Sequence, residues 1–183
     1  MSELDISRVV AVFKSNRTAW ALVGAHAIGL LTEPRATADF DFIVKSDKLD
    51  AILRDLTSIF GDLAVQDIGA AVQLTAIDID LIRSTNHPLF VEALHQVQVL
   101  GEWKVPRPEV LIALKFLASI SPRRDPEKRG QDVLDLRKVY RAVGATNLDR
   151  EEIIRLGGLA YPGAEAELRG LLDKIDRGEP LSI

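Results

Sequence analysis

Residues 23–44 read VGAHAIGLLTEPRATADFDFIV, and the way this stretch alternates between two periodicities decides the fold. It opens on the end of an apolar run, Ala19 to Val23, that stops at Gly24. The small-residue segment AHAIGLL follows and starts a helix, so the order is strand, tight turn, helix. In ADFDFIV, Phe40, Phe42 and Val44 fall on one side of an extended chain, and Asp39, Asp41 and Ile43 fall on the other. That is the period-2 pattern of a strand, here with acids on one face.

Working outward, MSELDISRVVAVFKSN at the start of the chain spaces its apolar residues like one helix face and carries acids where a signal peptide needs bases. Downstream, Ser46 is placed to cap the helix LDAILRDLTSIF. Two strands are expected at LAVQDI and VQLTAIDIDLI, joined as a hairpin around Gly69, and a further strand at HQVQVLGEWKV. His87 and His95 read as loop and strand residues, and Trp20 and Trp103 as core residues in strand-like runs.

The texture changes near PRPEV, Pro106 to Val110. From there only helices are expected: EVLIALKFLASI, then DPEKRGQDVLDLRKVYRAV ending at Gly144, then DREEIIRLGGLA with Asp149 and Glu152 as a capping box, then AEAELRGLLDKI. The reading is an α+β chain: residues 1–106 form an α/β domain with a mixed sheet and flanking helices, and residues 107–183 form a helical region packed on it.

Composition narrows the chemistry. No cysteine occurs among the 183 residues, which removes disulfides, thiolate metal sites and thiol nucleophiles and agrees with a cytoplasmic location. Any metal must sit on oxygen or imidazole. No run approaches the ~20 apolar residues that span a bilayer, so no membrane association is expected. The net charge of -4 argues against diffuse binding to polyanions. Locally, Arg123, Arg124, Lys128 and Arg129 form a basic cluster that suits either guiding an RNA or a solvated helix-loop face.

Asp39 and Asp41 share one strand face two residues apart, within reach of one divalent ion or a pair. IDIDLI supplies a second pair, Asp78 and Asp80. Carboxylates bracketed by large apolar residues are costly to desolvate unless they are paired or bind a cation. Oxygen ligands suit magnesium or manganese, and magnesium completes its shell with water and substrate phosphates. The helix after Gly24 would aim backbone N–H groups at a phosphate. His26 follows that turn and is placed to line the pocket; with no second histidine at ligand spacing it is not assigned to metal.

An apolar residue, Gly24, a spacer and the pair Asp39-Phe40-Asp41 together resemble the signature of the DNA polymerase beta-type nucleotidyltransferase superfamily. The segment from Pro34 to Phe42 resembles its AbiEii/AbiGii-like toxin branch in particular. Ala25 stands where that pattern prefers a second Gly or Ser. The resemblance extends to LIALKFLA, with Lys115, and RGQDVLDL, with Asp132 and Asp135, and so covers residues from about 19 to 140. Independently, Lys115 sits inside an apolar run where an unpaired ammonium is costly, and Asp132 and Asp135, three apart on one helix face, are its obvious partners.

The resemblance implies a metal-dependent nucleotidyltransferase that moves a nucleoside monophosphate from a nucleoside triphosphate to an acceptor, RNA or protein, as the toxin of a toxin–antitoxin pair with an antitoxin partner. Asp39, Asp41 and Asp80 would bind Mg2+ or Mn2+ and, with Lys115, serve catalysis. Asp80 is preferred over Asp78 as the third acid. Gly24, Ala25, His26, Arg35, Lys115, Asp132 and Asp135 would contact the nucleotide. The alternatives are a catalytically degenerate nucleotidyltransferase-fold binding protein, suggested by Ala25; an adenylyltransferase acting on a small molecule such as an antibiotic; and a metal-dependent phosphoesterase.

Overall fold

The structure is a computed structural model and describes residues 6–181. In chain order it contains α1 (Ile6–Ser15), β1 (Trp20–Val23), α2 (Gly24–Leu31), β2 (Phe40–Val44), α3 (Leu49–Phe60), β3 (Val65–Asp67), β4 (Ala71–Leu74), β5 (Ile79–Arg83), α4 (Pro88–His95), β6 (Val97–Leu100), β7 (Trp103–Pro106), α5 (Pro108–Ser119), α6 (Pro126–Val143), α7 (Arg150–Gly157) and α8 (Ala164–Arg177). The first five residues of the expected opening helix lie outside the described residues.

Five strands form one mixed sheet in the order β1-β2-β5-β4-β3, and β6 and β7 form a separate hairpin. Only the β2–β5 pair is parallel. One face of the sheet, carrying Trp20, Leu22, Phe42, Val44, Ile79 and Leu81, is buried with Val9 and Phe13 of α1 and Ile52 and Leu56 of α3. Phe13, Trp20 and Phe42 meet ring to ring there, with centroids 5.1–6.0 Å apart. On the other face, Val23 and Ile43 pack with Leu89 and Ala93 of α4, Val110 and Ala113 of α5 and Leu156 of α7. The first of these clusters continues through Phe116, Leu136, Leu168, Leu172 and Ile175, so one apolar core runs from α1 to α8.

The strand–turn–helix of residues 20–31 and the acid-bearing strand form as the sequence predicts. Several neighbouring expectations need correction. VQLTAIDIDLI is two antiparallel strands, β4 and β5, divided by a turn at 75–78, because the chain must reverse to lay Ile79–Arg83 beside β2. HQVQVLGEWKV is likewise a hairpin, turning at Gly101 with φ of 62°. Ser46 does not cap α3. It bonds instead to Ser84 and Thr85 after β5, and α3 begins from Lys48 with no side-chain cap. The helix α4 is unforeseen: His87 is its N-cap, accepting from Leu89 N–H through Nδ1, and His95 is its last residue. Asp149 caps α7 by accepting from Glu152 N–H, but Glu152 does not reciprocate and turns its carboxylate to Arg155 and Gln96.

Among the described residues no helix is long and apolar enough to cross a membrane.

Candidate active site

The parallel pairing of β2 with β5 brings the acids together. Asp41 stands directly beside Asp80, and register partners in a sheet point to the same face. The row continues on both sides, from Val23 on β1 through Asp41 and Asp80 to Gln73 on β4 and Gln66 on β3. Asp39 lies immediately before β2 and is exposed. Asp78 sits on the turn before β5 with a left-handed φ of 51° and is exposed, held by the bond from Phe40 N–H to its carbonyl. Strand parity alone cannot separate Asp78 from Asp80; the turn removes Asp78 from the ladder.

Gly24, immediately after β1, closes over Asp41. It has φ of 67°, and a Cβ built on it would lie 1.9 Å from Asp41 Oδ2. The Asp41 carboxylate therefore occupies the space where any other residue would carry a side chain. Gly24 also begins α2, whose N-terminus has no side-chain cap, so its first N–H groups keep their capacity for an anion. Ala25 is buried, with its methyl group packed away from solvent.

Among the described residues no Lys, Arg or His forms an ion pair with Asp39, Asp41 or Asp80. Burial, and next the neighbouring Asp80, push the Asp41 carboxyl up to about 6, with Asp39 adding to the rise and Lys115 and Arg124 opposing it. Crowded acids of this kind are relieved by a cation. Among the described residues no three acidic or imidazole side chains are grouped so as to hold a metal ion by themselves. The Asp41–Asp80 pair alone has the ligand chemistry of magnesium or manganese sites, which use one or two protein carboxylates and leave positions for water and phosphate.

Behind these acids lies a second charged cluster, between α5 and α6. Lys115 Nζ is 2.8 Å from Asp132 Oδ1 and 2.8 Å from Asp135 Oδ2. Asp132 also receives Arg124 Nε, and Asp135 receives Gln131 Nε2 at 2.8 Å and faces Arg35 at 3.8 Å. The two acids are only 1% and 0% exposed. Asp135 Oδ2, though close to the ammonium, has no aligned hydrogen-bond donor. Thus Lys115 is paired by the residues the sequence singles out, and its charge is felt at Asp41. Asp132 and Asp135 do not line open space; they hold the ammonium whose charge acts at Asp41.

His26 lies flat on Phe40, with ring centroids 3.8 Å apart and planes 4° apart. Its Nε2 is buried without a partner, and burial lowers its pKa despite the nearby Asp39. Within the basic cluster only Arg123 and Lys128 stay free of a side-chain role. Arg124 serves Asp132 and Arg129 Nε bonds the Ser119 carbonyl at 2.7 Å, so the cluster is half consumed by the fold.

Two residues at the site escape sequence reasoning. Gln73 donates Nε2 to both Asp80 oxygens, at 3.2 and 3.0 Å. Arg124 was legible only as surface charge. Neither lies in a motif: Gln73 reaches Asp80 across the β4–β5 hairpin, and Arg124 reaches Asp132 from the α5–α6 connection.

No protein-family model matches this sequence, and no curated protein matches it. Solved structures do. The chain is similar to the antibiotic-resistance factor ANT(2'')-Ia in solution, with a TM-score of 0.55 and 14% identity over 94% of this chain and 94% of that one. It is similar to ANT(2'')-Ia in complex with adenylyl-2''-tobramycin, with a TM-score of 0.58 and 14% identity over 90% and 95%. An antigenic nucleotidyltransferase-like protein from Paracoccidioides brasiliensis gives 0.55 and 18% over 98% and 94%. The chain therefore has a nucleotidyltransferase-like fold, a mixed sheet with flanking helices followed by C-terminal helices. The likeness spans both parts of it.

Proposed function

We propose that the chain is a metal-dependent nucleotidyltransferase that transfers a nucleoside monophosphate from a nucleoside triphosphate to an acceptor. The observation that carries this reading is the juxtaposition of Gly24, Asp41 and Asp80: a glycine with a carboxylate in its Cβ space, and a second carboxylate on the adjacent parallel strand.

In this reading Asp41 and Asp80, with Asp39 at the strand's entrance, hold Mg2+ or Mn2+, which when bound neutralises charge on the attacking and leaving oxygens. The first turn of α2, at Gly24, Ala25 and His26, offers its N–H groups to the triphosphate. Arg35, half-exposed beside Asp135 and with its charge felt at His26, is assigned to the same anion. Lys115, fixed by Asp132 and Asp135, supplies positive potential behind Asp41. Asp80 accepts the proton of the acceptor hydroxyl. The acceptor oxygen attacks the α-phosphorus, the bond to the β-phosphate oxygen breaks, and pyrophosphate leaves. Positioning supplies most of the acceleration.

For the acceptor, the motif resemblance to the AbiEii/AbiGii-like branch favours RNA or protein in a toxin–antitoxin setting. A second reading, adenylylation of a small hydroxylated molecule, is favoured by similarity to ANT(2'')-Ia over nearly the whole chain. The test is transfer of α-labelled nucleoside triphosphates into RNA, protein and small-molecule fractions, with magnesium or manganese. Outer-shell changes at metal sites cost about 10–100-fold, so Asp41→Ala and Asp80→Ala, which remove direct ligands, are expected to lose at least about 100-fold. Chelation should abolish labelling. Metal-dependent nucleotide binding without labelled product identifies the degenerate binder instead, and release of free monophosphate with no labelled acceptor identifies a hydrolase.

A further inference from the structure

Asp80 differs from the other two acids in having a dedicated side-chain partner. Gln73 faces it across the antiparallel β4–β5 pair as its direct register neighbour. Its amide nitrogen reaches both carboxylate oxygens, at 3.2 and 3.0 Å. Among the described residues no other side chain hydrogen-bonds or ion-pairs with Asp80, and both residues are half-buried.

The chemistry of that partner matters. A carboxylate has about four lone-pair sites, and an end-on amide uses one on each oxygen, leaving the others available to a cation. A glutamine donor fixes the plane of the carboxylate while adding no charge. A lysine or arginine in the same place would fix it equally well but would neutralise Asp80 and repel the ion. We infer that Gln73 is a positioning residue: it holds the Asp80 carboxylate oriented as a ligand for the divalent ion and as acceptor of the incoming hydroxyl proton. This rests on the nucleotidyltransferase reading above and extends it to a residue on β4, outside the motif strands.

The experiment compares wild type, Asp80→Ala, Gln73→Met and Gln73→Lys. Methionine matches the length of glutamine without its donor, and lysine keeps a donor but adds the charge. Mn2+ dissociation constants are read by electron paramagnetic resonance without nucleotide, alongside kcat and KM for α-labelled triphosphate and a urea unfolding curve for each protein. Gln73→Met is expected to weaken Mn2+ binding and lower kcat by about 10–100-fold with KM nearly unchanged, the range of other outer-shell changes. Gln73→Lys should bind Mn2+ more weakly still, while both unfold cooperatively near the wild-type midpoint. Wild-type Mn2+ affinity and kcat in Gln73→Met overturn the inference, as does a loss that simply follows unfolding in both variants. If wild type itself binds Mn2+ no better than Asp80→Ala, the parent reading falls and this inference falls with it, a result distinct from failure of the Gln73 variants alone.

Discussion

Gly24 and Asp41 cannot be varied independently. An alanine at Gly24 must adopt φ of 67°, which costs about 1–2 kcal/mol for an L residue, and its methyl would overlap the Asp41 carboxylate. Gly24→Ala is expected to lower thermal stability by several degrees and to abolish metal-dependent nucleotide binding; calorimetry and a binding isotherm on one sample check both. Asp41 itself is expected to be a stability cost in the metal-free protein. Its folded carboxyl titrates at about 6, above the ordinary 3.8, so the native state holds its proton where the unfolded chain has lost it. Its favourable contribution is complete below about pH 4 and is lost as pH rises towards 6. The shift corresponds to at most about 3 kcal/mol, and the partial exposure of Asp41 reduces that to roughly 1–2 kcal/mol. Asp41→Asn should therefore melt higher than wild type at pH 7.5 without metal and show no such advantage at pH 4.

At the scale of elements, the contact between α5 and α6 is built around Lys115, Asp132 and Asp135. Breaking a buried ion pair on one side strands the other charges, and Lys115→Met is expected to cost about 3–5 kcal/mol in urea unfolding. Adding Asp135→Leu should recover part of that loss, because it removes the carboxylate oxygen that already lacks an aligned donor. Arg124→Ala and Arg35→Ala, which remove half-exposed partners, should each cost less than about 1 kcal/mol. The Lys115 pairing was legible because a lysine in an apolar run demands a counter-charge and two acids follow at helical spacing. The helix α4 was not: PLFVEALH is short and mostly apolar, and a run of that length reads equally as strand. Ser46 misleads for a related reason, since a serine before a helix is a cap unless another partner lies nearer, and Ser84 comes from 38 residues away.

Across the whole molecule, the core that starts with Val9 and Phe13 continues to Leu168 and Ile175, so the sheet and the C-terminal helices bury each other. Both tryptophans, Trp20 and Trp103, belong to the strand-bearing part, while most of the helix lies after residue 107. If the two parts unfold as one unit, tryptophan fluorescence and far-ultraviolet circular dichroism will give the same urea midpoint. The fragment 1–106 expressed alone should show no cooperative transition, because the faces covered by α5 to α8 would meet water.

The sequence by itself determined the strand–glycine–helix turn, the acid-bearing face of residues 39–43 and the change to helices after residue 106. Each of these is a local pattern of apolar spacing and turn chemistry, readable within about ten residues. Tertiary structure alone decided that β5 lies parallel to β2, which makes Asp80 the neighbour of Asp41, while the β4–β5 hairpin removes Asp78 to a turn and brings Gln73 to the site. Strand register is set by contacts between segments nearly forty residues apart, and no local pattern encodes it.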